Sequence, residues 1–189
     1  LETIARESER LTGMIDNVLD FSRIEQGRRV YRRERVELGP LLEEVAEAHR
    51  RRLAHAGLSI SVRVADPPAV TGDREALASA LSNLIDNAAK YSGDGTSIEL
   101  EARPHKMGAE VRVADHGIGA PEDERERIFE PFARGGDERV RARKGSGLGL
   151  ALVRHVAAAH GGNVSVTPNP GGGSVFHLRL PPAGGPPCP

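Results

Sequence analysis

Tryptophan is absent, aromatic residues make up 3% of the chain, and there is one cysteine, Cys188. With so few rings, the core must be aliphatic. One thiol, set in a Pro/Gly tail, permits no disulfide within a chain, and a reducing compartment fits. No apolar run is long enough to span a bilayer, and no basic segment precedes an apolar stretch at the start. Net charge is −1 with 38% hydrophobic residues, so a soluble globular chain is expected, without bulk attraction to nucleic acid or membrane. No internal repeat is visible. The 189 residues suffice for one ordinary domain and an appendage. The chain opens on Leu1 inside a helical pattern, so we expect a piece of a longer protein whose remainder has room for membrane spans.

What is present is organised around Asp73–Ser92. Asp73 suits an N-cap and Glu75 follows in the first turn. Leu77, Leu81, Leu84, Ile85 and Ala88 recur at helical spacing and form an apolar stripe. Asn83, Asn87 and Lys90 stand at i, i+4 and i+7, on a wedge of about 60° away from the centre of that stripe. Amide oxygens can hold a hard cation such as Mg²⁺, and an ammonium can pair with phosphate. A surface helix that happens to carry two Asn is the alternative.

Residues 1–27 read as one long helix with a heptad seam of Ile4, Ser8, Leu11, Ile15, Val18 and Ser22, widened by Met14, Leu19 and Phe21. The stripe wants a partner helix, from upstream or from a second chain, unless it folds back onto the domain that follows. Residues 28–35 read as a basic linker, and Val36–Leu38 as a short strand. Pro40 suits the first turn of a helix through Leu53, stopped by Gly57. Leu58–Val64 alternates as a half-buried strand. Ala69–Thr71 is a short strand into the central helix, and Ser97–Ala102 with Ala109–Ala114 makes a strand pair. Glu122–Ile128 reads as a short helix. Arg134–Lys144, with five basic residues against two acidic, reads as a lid loop. Leu148–His160 is a second striped helix, followed by a hairpin of Val164–Thr167 and Ser174–Leu180. Residues 181–189 read as a disordered tail. This order predicts an α+β fold: a two-layer α/β sandwich with a mixed, mainly antiparallel sheet and helices on one face, preceded by a long bundle-forming helix.

Four further segments carry chemistry. Asp115-His116-Gly117-Ile118-Gly119 ends a strand; its carboxylate can accept from an exocyclic amine, and its glycines let backbone approach a flat ring. Ile128-Phe129-Glu130-Pro131-Phe132 holds two of the chain's four Phe, expected to dock the near end of the lid into the core. Gly145-Ser146-Gly147-Leu148-Gly149-Leu150 opens a helix, where bare backbone N–H groups suit phosphate oxygens. It lacks the third Gly of the dinucleotide fingerprint, and no Gly-Lys-Ser/Thr phosphate loop occurs. Gly171-Gly172-Gly173-Ser174-Val175-Phe176 reads as a tight turn into a strand.

In this order, the segments resemble the catalytic ATP-binding domain of bacterial sensor histidine kinases. These belong with Hsp90, gyrase and MutL to the wider family of the Bergerat fold. Asn83–Ser92 resembles the N box, Asp115–Gly119 the G1 box, Ile128–Phe132 the F box, Gly145–Leu150 the G2 box and Gly173–Phe176 the G3 region. Residues 1–27, ending Asp20-Phe21-Ser22-Arg23-Ile24-Glu25, resemble the second helix of the dimerisation and phosphotransfer domain. The resemblance implies an ATP-binding domain over 36–180.

By that resemblance, Asp115 takes the adenine amino group and Asn87 holds Mg²⁺ at the phosphates. Asn83 and Lys90 line the phosphate region, and Tyr91 lies near the base. Gly117, Ile118 and Gly119 shape the base pocket, Arg134 reaches the phosphates, and Gly145, Ser146, Gly147, Leu148, Gly149 and Ser174 complete the hinge and walls. The cofactors implied are ATP and Mg²⁺. Hydrolytic relatives and related serine kinases carry a general-base Glu four residues before the metal-binding Asn; here Asn83 stands there, and an amide cannot take the proton. The resemblance therefore implies an ATP-dependent protein-histidine kinase that passes phosphoryl to a response regulator. An ATPase or serine kinase of the same fold, or a non-catalytic nucleotide-binding module, are the alternatives. None of the seven His has the expected acceptor context, so no catalytic residue is expected in these residues and no autophosphorylation by them alone. The acceptor His belongs to an upstream phosphotransfer helix. The parent is expected to be a homodimer anchored in the bacterial inner membrane through other segments, with this part cytoplasmic and no nucleic-acid partner.

Overall fold

The computed structural model describes residues 12–13, 15, 17–24, 26, 29–93, 96–106, 108–133 and 146–184. The expected lid Arg134–Lys144, Gly145, residues 1–11 and residues 185–189 lie outside the described residues.

Residues 17–24 are helical, as are Thr12, Gly13 and Ile15. There follow β1 (Glu34–Val36), α1 (Leu38–His55), β2 (Ser59–Val64), β3 (Val70–Gly72), α2 (Arg74–Tyr91), β4 (Ser97–His105) and β5 (Gly108–Ala114). Two 3-10 turns, Glu122–Glu124 and Arg127–Phe129, precede α3 (Gly149–Ala159), β6 (Asn163–Pro168) and β7 (Ser174–Leu180). The main sheet runs β2-β4-β5-β7-β6, and β1 pairs with β3 in a small second sheet. Only β2–β4 is parallel; the other pairs are antiparallel. This is the mixed, mainly antiparallel α/β sandwich that the element order predicts.

Alternation along the strands builds the two faces. Ile98, Leu100, Ala102, Ala109, Val111, Val113, Phe176, Leu178 and Leu180 are buried together with the stripes of α1, α2 and α3. The opposite face is charged. At its centre Glu110, 1% exposed, accepts from Arg103 Nε at 2.8 Å and Arg179 Nε at 2.9 Å, and lies 3.2 Å from His177 Nδ1. These partners hold its carboxyl below the usual range even though burial pushes the other way.

Four local expectations need correction. The first short strand is Glu34–Val36, not Val36–Leu38, because Leu38 already opens α1 with Pro40 in its first turn, where proline's fixed φ costs nothing. Glu122–Ile128 forms 3-10 turns; it has too few apolar residues to support an α-helical face. Val64 does not turn inward but is 46% exposed, at the end of an edge strand. Phe129 enters the core edge-on to Phe176, centroids 6.3 Å apart, but Phe132 does not follow it. Phe132 has φ 61° and is 64% exposed, and its ring meets Phe21 of the N-terminal helix edge-on at 5.8 Å. Along that helix, Asn17 and Phe21 lie toward the sandwich, whereas Ile15, Val18 and Leu19 are about half exposed.

Candidate functional site

The site begins at the cap of α2. Asp73 Oδ1 accepts from Ala76 N at 3.0 Å, the side-chain cap that the sequence predicts. Its second oxygen accepts from Arg32 N at 3.0 Å, and its own N–H donates to His160 Nε2 at 2.9 Å. His160 Nδ1 in turn donates to Val156 O at 2.7 Å, so both ring nitrogens are engaged and the ring is neutral. Burial pushes its pKa below the usual value. The start of α2 is thus bolted to the end of α3 and to the linker.

One face of α2 then leaves the core. Asn83 Nδ2 donates to Ser79 O at 3.1 Å, and its Oδ1 lies 3.5 Å from Asn17 Nδ2, a long contact. It also faces the start of α3: a Cβ on Gly149 would lie 3.0 Å from that Oδ1. Asn87, one turn on and half-buried, takes no hydrogen bond from the described residues. The Lys90 ammonium sits 4.8 Å above the Tyr91 ring.

The end of α2 abuts the loop after β5. Ile118 N donates to Tyr91 O at 3.3 Å, and a Cβ on Gly117 would meet that oxygen at 2.1 Å, so only glycine fits there. Asp115 is 2% exposed. Its Oδ1 accepts from Gly117 N at 2.9 Å and Ser174 N at 3.2 Å. Oδ2 has no hydrogen bond among the described residues. Burial pushes this carboxyl above the usual range, opposed by the two N–H donors and His116.

The third wall is the start of α3. Leu148 N donates to Ser146 Oγ at 3.3 Å, and Leu152 N to Leu148 O at 2.9 Å. Among the described residues no side chain caps the helix. Gly147, φ 73°, accepts from Phe132 N at 3.0 Å and so joins this wall to the exposed Phe.

The sequence-predicted residues therefore form one contiguous arc. It runs from Gly149 to Asn83, along α2 to Tyr91, and by Gly117 and Ile118 to Asp115 and Ser174. Arg134 and Gly145 lie outside the described residues. One contributor escaped the motif reading. Asn169 Nδ2 donates to Asp115 O at 2.9 Å; His116, inside the quoted loop, has its Nε2 3.1 Å from Glu99 Oε1. Asn169 stands between two prolines, where Asn ordinarily marks only a turn.

The donor set fits a purine nucleotide. Among the described residues, a buried carboxyl has one oxygen to spare for an amine, glycine backbone leaves room for a flat ring, an amide of the kind that can ligate a cation has no hydrogen bond, and a helix start without a side-chain cap suits an anion.

Comparison with known proteins agrees. Residues 72–184 match the family described as histidine kinase-, DNA gyrase B-, and HSP90-like ATPase. The sensor-like histidine kinase SenX3 of Mycolicibacterium smegmatis is 36% identical over 180 residues, covering 95% of this chain and 47% of the relative. The chain thus spans about half the length of such curated relatives. Among solved structures, the mycobacterial sensor histidine kinase MprB is 34% identical with TM-score 0.69, covering 82% of this chain and 99% of that one. Full-length ShkA in complex with AMPPNP is 33% identical with TM-score 0.78, covering 98% of this chain and 39% of that one. With such an arc on such a sandwich, and these relatives, the chain belongs to the family of histidine kinase-, DNA gyrase B- and HSP90-like ATPases, among its sensor histidine kinases.

Proposed function

We propose that the chain is the ATP-binding catalytic portion of a sensor histidine kinase. It directs the γ-phosphoryl of ATP to a histidine outside these residues, for relay to a response-regulator aspartate. The observation that carries this reading is buried Asp115, one of whose carboxyl oxygens has no partner among the described residues, on the same arc as Asn87 and the start of α3.

Asp115 Oδ2 accepts the adenine amine, and Gly117 admits the ring. Asn87 holds Mg²⁺ by its amide oxygen, with Asn83 and Lys90 beside the phosphates. The N–H groups at the start of α3 take phosphate oxygens, and Arg134 adds countercharge. When bound, ATP with Mg²⁺ supplies the transferable phosphoryl; the chain's residues position it and neutralise charge. Asn83 offers no carboxylate to deprotonate water or a serine, which disfavours the ATPase and serine-kinase readings. His160 and His177 have both ring nitrogens engaged within the fold, which supports an acceptor elsewhere. The half-exposed face of Ile15, Val18 and Leu19 supports a bundle with further helices and a homodimeric parent. Among the described residues no helix is long and apolar enough to cross a membrane. We assign this portion to the cytoplasm, with any anchor in other segments.

Titration calorimetry with ATP, with and without Mg²⁺, tests the reading. Asp115→Asn should weaken ATP by about tenfold or more, the worth of a hydrogen bond to a charged group. Absence of ATP binding to the folded chain refutes it.

A further inference from the structure

We propose that Asn169 is a positioning residue that aims the Asp115 carboxyl, and that the β6–β7 loop thereby sets the preference for an amine-bearing purine. The inference rests on the nucleotide reading above and goes beyond it.

The hydrogen bonds of Asp115 can be followed group by group. Its N–H donates to Ser174 O at 2.9 Å, and its Oδ1 accepts from Gly117 N and Ser174 N. Its carbonyl accepts from Asn169 Nδ2 at 2.9 Å. Only Oδ2 is left. Three of these four bonds come from the hairpin, so its loop determines which way the remaining oxygen faces.

Asn169 is the one polar side chain of Pro168-Asn169-Pro170-Gly171-Gly172-Gly173. The loop does not need that side chain to close. Asn169 N donates to Gly173 O at 3.1 Å, and Gly172 N to Asn169 O at 2.9 Å, so the backbone closes it alone. A turn-forming Asn would spend its side chain on its own loop; this one reaches a residue 54 positions away in sequence. The loop also sits where only glycine permits. Gly173 has φ 91°, and a Cβ there would lie 2.2 Å from Asp115 O and 2.6 Å from its Oδ1.

A purely structural staple and a positioning residue differ in base selectivity. ATP offers a 6-amino group to Asp115; inosine triphosphate carries a carbonyl there. The experiment is calorimetric titration of the full chain with ATP and with inosine triphosphate, for wild type, Asn169→Ala and Asn169→Gln. Thermal unfolding is measured beside each. Asn169→Ala should weaken ATP about 3- to 10-fold, one neutral hydrogen bond, and inosine triphosphate less than about 2-fold, so the selectivity ratio falls. Asn169→Gln, which keeps an amide donor, should recover part of the ratio. Hydrogen exchange at Gly117 N and Ser174 N should quicken in Asn169→Ala. Equal weakening of both nucleotides, or unchanged selectivity, overturns the proposal and leaves the ATP reading intact. Wild type with no preference for ATP overturns both.

Discussion

Gly117→Ala is the sharpest perturbation of the site. The new methyl would lie 2.1 Å from Tyr91 O, 2.6 Å from Tyr91 C and 3.0 Å from Asp115 Oδ1. Tyr91 O belongs to the end of α2 and already accepts from Ile118 N. An ordinary contact needs more than about 3 Å, so helix and loop must part by about 1 Å. That separation strains or breaks two hydrogen bonds, Ile118 N to Tyr91 O and Gly117 N to Asp115 Oδ1. Overpacking costs about 1–3 kcal/mol and each bond about 0.5–1.5. A loss of about 2–6 kcal/mol is therefore expected, shared between fold and site. The assay is urea unfolding with ATP titration, beside Gly93→Ala as control. Gly93 has nothing within 4 Å of an added Cβ and no positive φ, so its change should be neutral within about 0.5 kcal/mol. Wild-type stability together with wild-type ATP affinity in Gly117→Ala would refute the reasoning.

The two Phe of one short motif should part company. Phe129→Ala, at 4% exposure, should cost about 3–5 kcal/mol by urea unfolding, whereas Phe132→Ala, 64% exposed, should cost under about 1. Stability should also fall on acidification through about pH 6.5, because burial holds His160 and His177 below the usual value. The folded state then binds fewer protons than the unfolded chain, so stability is full above the unfolded value and lost as pH drops toward the folded one. Glu110, held low by its arginines, adds a loss at more acid pH; Asp115, held high, acts with the opposite sign. His160→Gln should flatten the slope of unfolding free energy between pH 7 and pH 5, by at most about 1.4 kcal/mol per unit. An unchanged slope would exclude His160 as a contributor.

Much of this protein is legible from spacing alone. The stripe of Leu77, Leu81, Leu84, Ile85 and Ala88, the cap at Asp73 and the alternation of β4, β5 and β7 are local, because period and capping act over neighbouring residues. The order of the boxes carried the family, and Asn83, Asn87 and Asp115 stand on one arc. What spacing did not contain are contacts between distant segments. Phe132 shares a motif with Phe129, yet a positive φ turns it to Phe21. His160 has nothing in its sequence context to mark it, and becomes the joint between two helices because its ring accepts from Asp73 N and donates to Val156 O. Asn169 reads as turn punctuation, and only the close approach of the hairpin to Asp115 gives its amide a partner. Local periodicity determined the elements and the motif residues; tertiary packing decided which polar groups are satisfied and which, such as Asp115 Oδ2, have no partner among the described residues.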